Sequence, residues 1–278
     1  MIKNNAYIVS VILTLTLTCS GCTPTARERG VILTVATYNV HHLRSSYLAV
    51  RDAIAAMNAD IVALQEMPVR GKIQYSEKLA RDLGYRNISG KPYYRQGPGN
   101  GWVLTFLSKH PVISKEEKKL RGSRRALRID IAVNNKPLTI ITTHLSPFVW
   151  SRDPIRENRS RSSLRKTQIG ELIRWSRESS GRTIIMGDMN SIYLMGELTP
   201  FPQNKFTDVF DINSTDCPGT FPLRPSMLQR VRKIVPFTPE LITLDYIFVS
   251  PGIDVISAGV NKSSASDHYP VTAKLILQ

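Results

Sequence analysis

Six short segments carry side chains that bind a metal ion or move a proton. They are Tyr38-Asn39-Val40, Leu64-Gln65-Glu66, Thr143-His144-Leu145, Gly187-Asp188-Met189-Asn190, Leu244-Asp245-Tyr246-Ile247 and Ser266-Asp267-His268. A carboxylate is a hard oxygen ligand for a divalent cation. A neutral imidazole titrates near physiological pH and accepts a proton from water. Taken singly, each such residue is more often a solvated cap or a packing histidine than a catalyst. The joint pattern, in this order in one chain, carries the argument.

The elements that must position these groups follow from apolar periodicity. Val31 to Thr37 is a β-like run that delivers Asn39 to its end, and Asp60 to Leu64 is a buried run that ends in Gln65 and Glu66. Between them Tyr47, Val50, Ile54 and Met57 recur at helical spacing. A second helix is expected from about Lys72 to Leu83, stopped by Gly84, and a basic helix from about Ser163 to Ser176. Further strands are expected at Trp102 to Leu107, Leu127 to Val133, Leu138 to Thr143, Thr183 to Met186 and Leu244 to Val249. The stretches after Ser146, after Asn190 and from Phe221 to Glu240 read as long loops. Ligands in α/β proteins collect where strands end. No repeat or composition break divides the chain after Val31, which reads as one domain.

The ordered segments resemble the endonuclease/exonuclease/phosphatase superfamily, and within it the deoxyribonuclease I-like branch that uses two histidines. Supporting segments match as well: Arg165-Lys166-Thr167-Gln168, Gly219-Thr220-Phe221, and Arg124 with Ala126-Leu127, where Arg125 is the alternative register. The resemblance covers residues 31–278 and implies an α/β fold, a four-layer α/β/β/α sandwich of two packed mixed sheets with outer helices.

It also implies roles. Glu66, with Asn39 and Asp267, would bind Mg²⁺ or Mn²⁺ through oxygen, and no cysteine or multi-histidine zinc pattern competes. His268 would be the general base, oriented by Asp245. Asp188 would hold the attacking water, and Asn190 would donate to a phosphoryl oxygen. His144 would stabilise or protonate the leaving group, with no identifiable carboxylate behind it. Arg124 and Arg165 would contact substrate phosphate.

The expected activity is metal-dependent phosphodiester hydrolysis, with DNA as the first candidate substrate. Lys and Arg number 37 against 22 Asp and Glu, a formal +15, which favours anionic partners. Arg152, Arg156, Arg159, Arg161, Arg165 and Lys166 crowd one segment, and Arg224, Arg230, Arg232 and Lys233 another. Such a basic rim suits a polyanionic backbone. The apolar Phe148-Val149-Trp150 beside the Thr-His-Leu segment suits a base or a lipid headgroup equally. The alternatives are a sphingomyelinase-like or phosphoinositide-directed phosphohydrolase, and a surface lipoprotein that acts as a binding module or toxin subunit.

At 42% apolar and 21% charged residues the composition excludes disordered, collagenous and polytopic membrane classes. Lys3 and the 13-residue run Ala6 to Thr18 read as a signal peptide, too short for a spanning helix. The run ends in Cys19-Ser20-Gly21-Cys22, which resembles a bacterial lipobox with Cys22 as the lipidated residue. Residues 1–21 are then the signal peptide and 22–30 a lipidated tether. The expected location is an exported lipoprotein held at a membrane, with Thr23 matching the outer-membrane pattern.

Overall fold

A computed structural model of the chain describes residues 30–95, 100–148, 154–179, 181–211, 219–233 and 237–278. Cys22 and the export segment lie outside these residues, as do Val149, Trp150, Arg152 and Cys217.

Two parallel strand pairs form the centre of the molecule. Val31–Asn39 runs parallel to Ile61–Arg70, and Arg182–Asp188 parallel to Lys136–His144. Antiparallel neighbours extend each pair into a mixed sheet. The first has the order Ile253–Val260, Val271–Leu277, Val31–Asn39, Ile61–Arg70, Asn100–Ser108, Arg86–Ser89. The second has the order Thr207–Asp208, Asp245–Val249, Arg182–Asp188, Lys136–His144, Arg125–Val133, Val112–Lys119.

The central strands are apolar on both faces because both faces are covered. Leu33, Val35, Ile61 and Phe106 of the first sheet pack against Ile129, Ile140, Ile184 and Ile247 of the second. The other face of the first sheet, with Ala36, Tyr38, Val62 and Leu64, is covered by the helices Tyr47–Met57 and Tyr75–Leu83. Ile141, Ile185, Tyr246 and Phe248 are covered on the far side by Pro154–Ser176 through Ile169, Leu172 and Ile173. The layers are therefore helix, sheet, sheet, helix, as the resemblance implied. No helix among the described residues is long and apolar enough to cross a membrane.

Local chemistry sets the ends of the helices. The Ser46 hydroxyl caps the first helix by accepting from the Ala49 N–H at 3.0 Å. Asn58 and Gly84 close the two outer helices of the first sheet in the left-handed region. The expected helix from Lys72 begins only at Tyr75, because Ile73–Gln74 pairs with Val69 and Arg70 as a short strand. The basic helix begins at Pro154, earlier than its apolar periodicity shows, with proline in the first turn where its missing N–H costs nothing. The expected loop from Phe221 to Glu240 contains the helix Pro225–Arg232.

One difference bears on the site. The strand that was expected to end at Glu66 continues to Arg70, with a register shift between Leu64 and Met67 in its pairing with Asn100–Ser108. Glu66 lies inside this bulge at φ +56°. A bulge re-aims a side chain without ending the strand, and here it turns the Glu66 carboxylate towards the neighbouring strand ends.

Asp208 tests the cost of burial away from the site. Its carboxylate accepts from the Tyr193 hydroxyl at 2.7 Å and the Phe210 N–H at 3.1 Å, yet burial raises its pKa to about 6. The folded state then binds the proton more tightly than the unfolded chain, so stability falls as pH rises through this window. Relative to Asp208→Asn, the wild type loses on the order of 2–3 kcal/mol between pH 4 and pH 7, measured by urea unfolding at each pH.

Candidate active site

Strand register brings the polar groups together. Asp188 pairs across the second sheet with His144 on one side and with Asp245 on the other, so three functional groups share one level at the strand ends. In the first sheet Asn39 pairs with Gln65, next to Glu66. Gly187 is required for this closeness: it sits at φ +146°, and a Cβ there would lie 2.1 Å from the Thr143 carbonyl oxygen. The two sheets join at Asn39, whose amide nitrogen donates to Glu66 Oε1 at 3.2 Å and to Asp188 Oδ2 at 3.0 Å. The Asn39 oxygen accepts from the His41 N–H at 3.0 Å, so Asn39 bridges the two carboxylates in this arrangement.

His268 and Asp245 form a buried pair, Nδ1 to Oδ2 at 2.8 Å. Thr220 fixes the carboxylate by donating from its hydroxyl to the same Oδ2 at 2.7 Å while accepting from the Leu244 and Asp245 N–H groups. Phe221 packs against the His268 ring, with centroids 4.8 Å apart. Burial disfavours the imidazolium, but Asp245, Asp188 and Asp267 outweigh it and raise His268 to about 10. Ser266 holds the loop by donating to the Asn39 carbonyl at 2.8 Å and accepting from the His268 N–H at 3.2 Å.

His144 completes the ring of groups. Its Nε2 lies 3.4 Å from Asp188 Oδ2 and 3.8 Å from Glu66 Oε1. The same Asp188 oxygen is 3.8 Å from His268 Nε2, so it stands between the two imidazoles. No carboxylate supports His144 from behind. Its Nδ1 meets the Tyr93 hydroxyl at 3.0 Å, and that hydroxyl accepts from the Glu66 N–H at 3.2 Å. The phenol therefore has its own hydrogen to donate to Nδ1, which leaves the N–H of His144 on Nε2, facing the site. Burial, with Arg124 adding to it, lowers the His144 pKa well below the ordinary value, so the ring acts as a neutral N–H donor. Burial likewise lifts Tyr93 well above its usual range and keeps the phenol protonated.

The acidic groups are of the type that can hold a cation. Burial raises Glu66 to about 7 and Asp188 to about 6. Glu66 Oε2 and Asp245 Oδ1 are buried with no hydrogen-bond partner. Unpaired buried carboxylate oxygens are expensive, and a divalent ion with oxygen ligands fits them. Asp188, Asp245 and His268 also bring ligand atoms within 4.8 Å of one another. The short bond from His268 to Asp245 commits two of that trio to each other, and Glu66, whose Oε2 has no hydrogen-bond partner, is a carboxylate that could hold a metal.

Arg124 lies over the Tyr93 ring at 5.9 Å and makes no ion pair among the described residues. Arg125 turns to Glu117 at 3.5 Å, which leaves Arg124 as the arginine on the Tyr93 side. Arg165 requires a correction. It is fully buried, with Nε and Nη2 on Glu197 at 2.8 and 2.7 Å and Nη1 on the Ser146 carbonyl at 3.2 Å. No part of it is exposed and its donors are committed to Glu197 and Ser146, so it positions the elements around it. It ties the Pro154–Ser176 helix to the loop beyond His144, and through Glu197 to Ser191, beside Asn190. Phe148 stacks under the same guanidinium at 4.4 Å, so its ring is held there by a cation–π contact. Asn190, at φ +47°, spends one amide hydrogen on the Leu145 carbonyl and its N–H on Asp188 Oδ1.

Sequence reading missed Tyr93, His41 and His42. His42 Nε2 lies 2.7 Å from Glu66 Oε2, and His41 Nδ1 lies 3.1 Å from Asp267 Oδ1. Tyr93 precedes a two-residue strand and carries no periodic signal. The paired histidines directly after Asn39 were a signal that was available.

A family model for the endonuclease/exonuclease/phosphatase family matches residues 36–268. No curated protein matches the sequence. Solved structures share the fold. An endonuclease/exonuclease/phosphatase from Beutenbergia cavernae superimposes with a TM-score of 0.68 at 19% identity over 90% of this chain and 72% of that one. A family protein from Bacteroides thetaiotaomicron gives 0.69 at 16% identity over 90% and 99%. D. rerio TDP2, solved with a single-strand DNA product, gives 0.63 at 17% identity over 88% and 98%. With the family model spanning most of its length and its six segments assembled at one set of strand ends, the chain belongs to the endonuclease/exonuclease/phosphatase family, whose members are typically hydrolases of phosphoesters.

Proposed function

We propose that the protein is a divalent-metal-dependent phosphodiesterase that cleaves DNA. The observation that carries this reading is Asp188 Oδ2 held between the Nε2 atoms of His144 and His268, beside the partly unsatisfied carboxylate of Glu66. Hydrolysis of a phosphodiester needs an activated water, a stabilised leaving oxygen and neutralised phosphoryl oxygens. A divalent cation on Glu66 and Asp267, Mg²⁺ or Mn²⁺ by ligand type, would neutralise phosphoryl charge and offset the carboxylate field that keeps His268 protonated. Asp188 aligns the water, and His268 takes its proton at Nε2 while Asp245 balances the charge that develops. His144 donates its Nε2 hydrogen to the oxygen that becomes negative. Asn190 has a second amide hydrogen free for the same phosphoryl group.

Nucleic acid is favoured by the approach to this cluster. Arg124 and Arg161, with Ser146 and Ser160, line a cavity of about 530 Å³, and Ser146 stands two residues after His144. An anion-binding extension beyond the scissile group suits a chain with a phosphate on each unit. D. rerio TDP2, which shares the fold, was solved with a single-strand DNA product. Cys22 lipidation and tethering to a membrane, most simply the outer membrane of a Gram-negative cell, belong to the same proposal and rest on the lipobox.

The deciding experiment incubates the purified protein with DNA, sphingomyelin and inositol phosphates in parallel, with Mg²⁺, with Mn²⁺ and with chelator. DNA cleavage that stops with chelator is expected. Release of phosphocholine or inorganic phosphate, with intact DNA, would transfer the assignment to a lipid or inositol phosphate substrate.

A further inference from the structure

We propose that His42 Nε2 is itself a metal ligand beside Glu66 Oε2, and that it gives the site a preference for Mn²⁺ over Mg²⁺. This rests on the metal-dependent reading above. The first observation is a distance without a bond. His42 Nε2 and Glu66 Oε2 are 2.7 Å apart, both atoms are buried, and neither has a hydrogen-bond partner. The lone pair or hydrogen of an imidazole nitrogen lies in the ring plane, so a well-directed contact at this distance would be a hydrogen bond. Two buried donor atoms this close, with no hydrogen bond between them or to any other group, are both available to one cation.

The second observation is the way the imidazole is held. Its ring packs on Trp102, with centroids 3.8 Å apart, on the strand that pairs with the Glu66 bulge. His41, His42 and Leu43 are successive non-glycine residues at φ +43°, +57° and +57°. Such residues rarely adopt that region even singly. The turn is closed by the Leu43 N–H on the Val40 carbonyl at 2.9 Å and the Arg44 N–H on the His41 carbonyl at 3.0 Å. It directs one imidazole to Glu66 and the other to Asp267. His41 then supports Asp267 as an outer partner, which orients a ligand and tunes affinity.

The chemistry follows from ligand type. Mg²⁺ favours oxygen ligands and retains water, whereas first-row ions accept imidazole. An imidazole beside the Glu66 carboxylate therefore favours Mn²⁺ over Mg²⁺.

The test is pulsed EPR of the purified protein loaded with Mn²⁺, together with calorimetric titration of Mn²⁺ and Mg²⁺. The wild type is expected to show ¹⁴N coupling from a bound imidazole and to bind Mn²⁺ at least ~10-fold more tightly than Mg²⁺. His42→Phe, which keeps a ring against Trp102, is expected to lose that coupling and about 10- to 100-fold in Mn²⁺ affinity, with Mg²⁺ affinity nearly unchanged. His42→Gln is the second variant and should behave alike. A wild-type spectrum without nitrogen coupling overturns the proposal whatever the variants do, as does coupling that survives in both. Failure of the hydrolase reading looks different: nitrogen-coupled Mn²⁺ in a protein that cleaves no phosphoester.

Discussion

Asp245→Asn lowers kcat for phosphodiester cleavage by about 10³- to 10⁴-fold, with KM nearly unchanged. The carboxylate does two things, and an amide of the same shape does not do the second. It accepts from His268 Nδ1–H, which leaves Nε2 to face the water, and it supplies the negative charge that balances an imidazolium. Thr220 donates to the same Oδ2 that His268 meets, so in the variant it holds the amide oxygen on Nδ1 and the lost counter-charge is the main effect. Single-turnover rates at pH 6 to 9 check this, because loss of the counter-charge lowers the His268 pKa and shifts the acidic limb of the profile to lower pH. A variant that retains more than about a tenth of the wild-type rate would place proton transfer elsewhere, given the usual size of general-base effects.

Glu66→Gln reduces activity by on the order of 10³-fold and at the same time stabilises the metal-free protein above neutral pH. The signs are opposite for one physical reason. Burial raises Glu66 to about 7, so the folded protein prefers it protonated and loses stability as pH rises from the ordinary carboxylate range through that value. A neutral amide is spared this cost, and its oxygen still accepts from Asn39, but it offers no charge to a cation. Thermal unfolding with chelator and without it separates the effects: the variant unfolds at the higher temperature in chelator and gains less from added metal. A variant that was both inactive and less stable in chelator would mark Glu66 as a structural residue.

The sequence by itself determined which groups the chain has and on which strand ends they stand. Each of Asn39, His144, Asp188 and Asp245 follows or opens an apolar run whose periodicity is local, and local periodicity is legible in one dimension. The layer order was legible through the resemblance carried by those segments, and the family match supports it. Where the outcome depended on a partner far along the chain, the sequence was silent. Arg165 has the same chemistry as a phosphate-binding arginine, and only its burial against Glu197, 32 residues away, makes it a support. Tyr93 replaces the missing carboxylate behind His144 across 51 residues. The left-handed backbone at His41, His42 and Glu66 is imposed by packing against local preference. Residue type and local period belong to the chain alone. Desolvation, tautomer and the meeting of two sheets depend on what surrounds an atom in three dimensions, and these were decided only by the tertiary structure.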